Sequence, residues 1–141
     1  MRVEKSMIYK FCKREVNLNC TDLYFFDEFV ISQMHEASLC NREAANEIVF
    51  EISQFYTENQ PFHYISNRIH DYSISPIDLK WFLELLPTMR SYHVVFYDSP
   101  SKSHLELESL FAPIPIVAHK QLLHALDALL LQDQALAKYR S

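Results

Sequence analysis

Seven histidines and three cysteines are the residues of this chain best suited to catalysis or metal binding, so their spacing matters first. His119 and His124 are five apart and do not share a helical face as an i, i+4 pair would. His63 and His93 fall on neighbouring predicted strands and can lie close together. No Asp, Glu or Cys clusters with them at ligand spacing, so surface or core histidines are expected and no metal site. Cys12, Cys20 and Cys40 contain no CxxC pair, which argues against zinc, and their odd number argues against a disulfide framework. Cys40 precedes a predicted helix whose dipole would lower its pKa, but the sequence supplies no base and no orienting group for it. No catalytic residue is therefore expected.

The chain has no glycine. That absence removes the P-loop, the GxGxxG dinucleotide turn and the GxSxG nucleophile elbow together, and no cofactor is expected. Turns have to come from Asn, Asp, Ser and Pro.

A place for a ligand is suggested by topology. In open α/β sheets ligands gather beyond the carboxyl ends of the parallel strands. Here that edge collects Asn67, Arg68, Tyr97, Asp98 and Ser99, with Ser73 and Ser75 close by. Arg68 could hold an anion with help from a helix N-terminus; the simpler alternative is an Arg68–Asp98 ion pair plus ordinary capping.

The elements that would position these residues follow from periodicity. Ser6 to Leu18, Leu23 to Phe26 and Phe29 to His35 read as three strands, with Asp27-Glu28 as a tight turn between the last two. Apolar positions at Ala44, Ala45, Ile48, Val49, Ile52, Phe55 and Tyr56 predict an amphipathic helix from Asn41, its N-cap, to Tyr56. Phe62 to Ser66 is a strand that runs out in Asn67-Arg68. Ser75-Pro76-Ile77-Asp78 starts a second helix, with Ser75 as cap and Asp78 returning a bond. His93 to Tyr97 is a buried strand, and Asp98-Ser99-Pro100 opens a third helix. Pro113 to Val117 reads as an edge strand, Lys120 to Leu131 as a closing helix, and the tail after Gln132 as frayed. The order β-β-β-α-β-α-β-α-β-α predicts one α/β domain with parallel strands joined by crossovers.

Composition narrows the partners. With 49% apolar and 22% charged residues the chain is an ordinary globular protein. Thirteen basic against eighteen acidic residues give −5. Arg2, Lys5, Lys10, Lys13 and Arg14 are interrupted by Glu4 and Glu15, so a solvated strand face is expected there and no nucleic acid. The N-terminus lacks a signal peptide's apolar core and no apolar run could span a membrane, so a reducing cytoplasm is expected. Tyr24, Phe25, Phe26 and Phe29 crowd together; most should pack inward, and any left outside would mark a protein partner or a homodimer surface.

A front meander followed by alternating βα units resembles the SpoIIAA-like fold shared by STAS domains and the lipid-binding Sec14-like (CRAL-TRIO) domains. Local likeness is to short STAS/Sec14-like proteins of the Bacteroidetes group. It is carried by Val30-Ile31-Ser32-Gln33, Pro61 to Arg68, Tyr72 to Pro76 and Val94 to Asp98, and it covers about residues 20 to 131. The resemblance implies a non-catalytic regulatory or protein-interaction module, with binding of a lipid or small apolar ligand as the alternative. In STAS anti-sigma antagonists a serine opening the helix after a parallel strand is phosphorylated. The matching place here is the loop from Ser73 to Pro76, which lacks the family's glycine-containing turn.

Overall fold

A computed structural model of the chain describes residues 1–36, 41–70, 74–97 and 100–139, with 100–104 given by their backbone alone. The described residues form a mixed sheet whose strands pair in the order in which they occur. These are β1 (Arg14–Asn17), β2 (Thr21–Phe25), β3 (Phe29–Met34), β4 (Phe62–Arg68), β5 (Met89–Phe96) and β6 (Ile116–His119). The first three run antiparallel as a meander; β3 to β6 are parallel. Helices α1 (Arg42–Phe55), α2 (Pro76–Glu84) and α3 (Pro100–Phe111) make the crossovers, and α4 (Leu122–Gln132) follows β6.

Period-two alternation sorts the strand residues between two cores. Phe25, Val30, Tyr64 and Val94 face one way and pack on Ile48 and Ile52 of α1, Phe82 and Leu83 of α2, and Leu105 of α3. Phe29, Ile31, Ile65 and Val95 face the other way and pack on Leu122, Ala125 and Leu129 of α4. Sequential parallel strands with all three crossover helices on one face are what connections of a single hand produce. The second face is left for α4 and for chain from outside the βα units.

That outside chain differs from expectation at both ends. Ser6 to Leu18 is not one strand: two 3-10 turns, Val3–Lys5 and Met7–Phe11, precede the short β1. Ile8 and Phe11 are three apart, so a three-residue turn brings both onto the α4 face. Nor does the tail fray. Gln134–Tyr139 is a 3-10 helix whose Leu136 is buried. Lys138 bonds Asp27 at 2.7 Å and Glu28 at 2.9 Å, and the Tyr139 ring lies edge-on to Phe11, Phe26 and Phe29. β6 begins after the prolines, at Ile116, because Pro113 and Pro115 lack the N–H that a strand ladder uses.

Helix starts follow their expected chemistry in part. The Asn41 side chain accepts the Ala44 N–H at 2.9 Å, a true N-cap. Ser75 occupies the cap position of α2 without a side-chain cap bond, and Asp78 accepts from Arg42 Nε at 2.9 Å instead of returning to the cap. With no glycine available, the turn between α1 and β4 places Glu58 and Asn59 at φ of 57° and 60°. Asparagine tolerates this region; glutamate's Cβ is crowded there. Glu58→Gly should therefore raise stability by about 0.5–1 kcal/mol, strain relief exceeding the added backbone entropy. A lowered thermal midpoint would contradict that account of the turn.

Candidate functional site

β4 is buried along its whole length although it carries His63, Ser66, Asn67 and Arg68. Neighbouring residues of a strand point to opposite faces, so the expected ligand edge divides. Asn67 faces α4. Its Nδ2 donates to Gln33 Oε1 and to the Met1 carbonyl, both at 2.9 Å, and its Oδ1 accepts the Tyr97 hydroxyl at 2.7 Å. Gln33 Oε1 also takes the Val3 N–H at 2.6 Å. These two residues of the expected site are thus brought together, and what they hold is the protein's own N-terminal segment.

Arg68 faces the other layer and forms a fork with Glu108 of α3. Nη2 donates to Oε1 at 2.7 Å and Nη1 to Oε2 at 3.0 Å, with the Tyr92 hydroxyl at 3.4 Å from Nη2. Both side chains are almost fully buried, 4% and 1% exposed. Among the described residues the carboxylate beside Arg68 is Glu108, and the fork is a structural tie between β4 and α3. The cavity beside it, about 30 Å³, has room for about one water. Ser75 sits at the N-cap of α2, next to Ile74, which lines that cavity. Ser73, Asp98, Ser99 and the Cys40 thiol lie outside the described residues.

The α4 face of β4, β5 and β6 carries a polar chain. His63 Nε2 lies 3.3 Å from Asp133 Oδ2, and His63 Nδ1 lies 2.6 Å from Ser91 Oγ. Ser91 Oγ is 3.0 Å from His93 Nε2, and His93 Nδ1 is 2.9 Å from His119 Nε2. The expected nearness of His63 and His93 is realised through Ser91. Ser91 was overlooked because β5 begins at Met89, four residues before the predicted start, with a register shift against β4 at Phe62/His63. An ionised carboxylate only accepts, so it fixes every proton with neutral rings. His63 donates from Nε2, Ser91 donates to His63 Nδ1, His93 donates from Nε2 to Ser91, and His119 donates from Nε2 to His93 Nδ1.

Asp133, His63 and Ser91 have the connectivity of a nucleophilic triad. Ser91 is 8% exposed, however, and its oxygen also receives the His93 N–H. Burial lowers the pKa of His63 and His119 and pushes His93 down to about 4, helped by the neighbouring His119 and His63. No group of three or more His, Cys, Asp or Glu among the described residues is arranged to hold a metal ion. Cys12 and Cys20 are half-buried thiols whose pKa burial raises, the opposite of an activated nucleophile.

A cavity of about 480 Å³ forms an open groove between the 3-10 turn Met7–Phe11, α4 and the 3-10 helix Gln134–Tyr139. Buried Ile8, Phe29, Leu129 and Leu136 line it, together with Met7, Phe11, Leu123, Leu126, Leu130 and Tyr139; Lys10 and Asp127 are its charged groups. Sequence reasoning missed it because its walls come from segments more than a hundred residues apart. The leucine run of α4 was the one signal: Leu123 stays 50% exposed on a helix that packs on the sheet through Leu122, Ala125 and Leu129. The aromatic meander offers no comparable surface. Tyr24, Phe25, Phe26 and Phe29 are all buried, so a homodimer built on them is not available to this fold. No helix among the described residues is long and apolar enough to cross a membrane.

Two outcomes follow from these contacts. Glu108→Ala should cost about 3–5 kcal/mol in urea unfolding, because the buried fork on Arg68 loses its Glu108 half, and the Arg68→Met/Glu108→Leu double variant should recover most of it. The neutral histidines stabilise the fold fully above about pH 6.5, their unfolded value, and lose that contribution as pH falls through their lowered folded values. For His93 the window runs from about pH 6.5 to about 4 and is worth at most about 3 kcal/mol. His35 opposes this: the Asp22 bond at 2.9 Å raises its pKa, so its contribution is lost as pH rises through the folded value. His93→Gln should flatten the acid side of a plot of thermal midpoint against pH, and an unchanged slope would exclude the chain as its source. Comparison with models of protein families, with curated proteins and with solved structures finds no match to this chain.

Proposed function

We propose that this protein is a non-catalytic binding module for a small apolar ligand of the single-chain lipid kind, seated in the groove between Met7–Phe11 and α4. The groove itself carries this reading. Its volume, about 480 Å³, lies within the roughly 300–1,000 Å³ of small-molecule sites. A stable protein partner needs about 800 Å² on each side, far more surface than so narrow a groove offers. Its lining is apolar, with Lys10 placed to meet an acidic head group. Catalysis is disfavoured by the burial of Ser91, and neither cavity described above is lined by Ser91 or His63.

The SpoIIAA-like reading of the fold is supported by the sequential strand order, the antiparallel front pairs and the placement of α1 to α3 on one face. Within it, the regulatory STAS role rests on architecture alone, because Ser73 is outside the described residues and the aromatic meander is internal. The Sec14-like alternative has the groove as well.

N-phenyl-1-naphthylamine, a neutral fluorophore that brightens in apolar sites, should bind saturably at pH 7.5 and be displaced by a long-chain fatty acid. A charge set into the groove by Leu123→Glu or Leu126→Glu should weaken binding about tenfold or more. Leu131→Glu, 83% exposed and outside the groove, should leave it unchanged. Absence of saturable binding, or an equal loss in the Leu131 variant, would overturn the reading.

A further inference from the structure

Seven of the groove's lining residues come from α4 and the 3-10 helix that follows it, and Asp133 is the joint between them. Its N–H closes the last turn of α4 on the Leu129 carbonyl at 2.9 Å. Its Oδ1 accepts the Ala135 N–H at 3.0 Å and its carbonyl accepts the Leu136 N–H at 3.1 Å, starting the 3-10 helix. Its Oδ2 reaches into the sheet, to His63 at 3.3 Å and Arg90 at 3.8 Å. The joint that sets both walls of the groove is thus the terminus of the histidine chain.

The chain has a definite capacity for protons. A first proton, added at the outer nitrogen of His119, is accommodated by reversing every bond except the one from His63 to Asp133. His119 then accepts from His93 Nδ1, Ser91 donates to His93 Nε2, and His63 donates from both nitrogens, its new charge facing Asp133. A second proton costs something at every place open to it. On His93 it leaves the Ser91 oxygen accepting from two cationic rings while its own proton loses its acceptor; on His119 it sets two N–H groups face to face at a separation now 2.9 Å; on Asp133 it cancels the charge that faces His63. The surroundings give little relief. His63 is faced by Asp133, by Arg90 on β5 and by Glu28 from the β2–β3 turn. His93 is faced by His63, His119 and the Gln132 side chain of α4. His119 is faced by His124 of α4. Apart from Asp133 and Glu28, every charge that faces the chain is positive or becomes so in acid. The rings must then separate and admit water, and the cover above them is the C-terminal end of α4 with Asp133.

We propose that the Asp133–His63–Ser91–His93–His119 chain is an acid-sensitive latch on the apolar groove, its second protonation freeing the α4–Asp133 joint and releasing the bound ligand. This regulation rests on the groove reading above. By linkage, occupancy of the groove disfavours proton uptake by the same factor by which acid weakens binding.

The test is titration with N-phenyl-1-naphthylamine from about pH 7.5 to about pH 3.5, a range in which the probe's charge is constant and which passes the His93 value of about 4, with far-UV circular dichroism at each step to show that the fold persists. Affinity should fall by about tenfold or more on the acid side while the helical signal is kept. His93→Gln should bind the probe as the wild type does at pH 7.5 and lose most of the fall. His119→Gln, at the half-buried outer end, serves if His93→Gln does not fold: its amide can turn to accept from a doubly protonated His93, which removes the facing donors. Saturable binding that is independent of pH, or a fall equally large in the glutamine variants, overturns the latch and leaves the groove reading standing. Absence of binding at pH 7.5 overturns both.

Discussion

The central strand is asked to bury more polarity than a central strand usually holds. In β4 every residue is inaccessible, yet four of its seven side chains are His63, Ser66, Asn67 and Arg68. Each buried polar group has to find a partner or cost the fold its desolvation, and the partners come from different parts of the chain. Asn67 brings in the first residues through the Met1 carbonyl and Gln33. Arg68 brings in α3 through Glu108. His63 brings in the end of α4 through Asp133. Among the described residues no buried side-chain nitrogen or oxygen is left without a partner. The outer elements are pinned by what the middle of the sheet must satisfy.

This arrangement separates two kinds of stabilisation. Hydrophobic burial by Phe25, Tyr64 and Ile52 on one face, and by Phe29, Ile65 and Leu129 on the other, supplies most of the driving force and is tolerant of detail. The polar ties supply direction: the Arg68–Glu108 fork fixes how α3 lies on the sheet, and a carboxylate at Asp133, bonded to β4, fixes the tautomer of a ring two strands further on. Such ties add little net stability but are expensive to half-remove. The groove is lined by the tolerant kind, between leucines of α4 and two 3-10 segments, while the polar tie at Asp133 lies at the joint behind it.

Much of the architecture was legible in the residues. The apolar spacing of Ala45, Ile48 and Ile52 and the cap at Asn41 set α1 to within a residue, because helix periodicity and capping are local. The prolines Pro76 and Pro100 mark the first residues of α2 and α3 for the same reason. The ends were misread because Met7 to Phe11 has both strand composition and a three-residue spacing, and only α4 decides between them. Leu136 and Tyr139 gave no periodic signal within so short a stretch. Of the expected site, the opposite facing of Asn67 and Arg68 was implicit in strand alternation. Glu108 was not legible, being 40 residues away and chosen by how α3 lies. Ser91 was hidden by a register shift that no propensity encodes.

The face that carries the groove is closed by Phe11 against Tyr139, residues from opposite ends of the fold. During synthesis α4 and Tyr139 are the last of the described elements to leave the ribosome, after every strand of the sheet. Until α4 and then Tyr139 arrive, the stacked Phe26–Phe29 pair and Ile31 and Ile65 lack the cover that these two supply. The nascent protein therefore passes through a sticky, one-sided stage, and it is in that interval, before the last 3-10 helix docks, that a holding chaperone has something to grip.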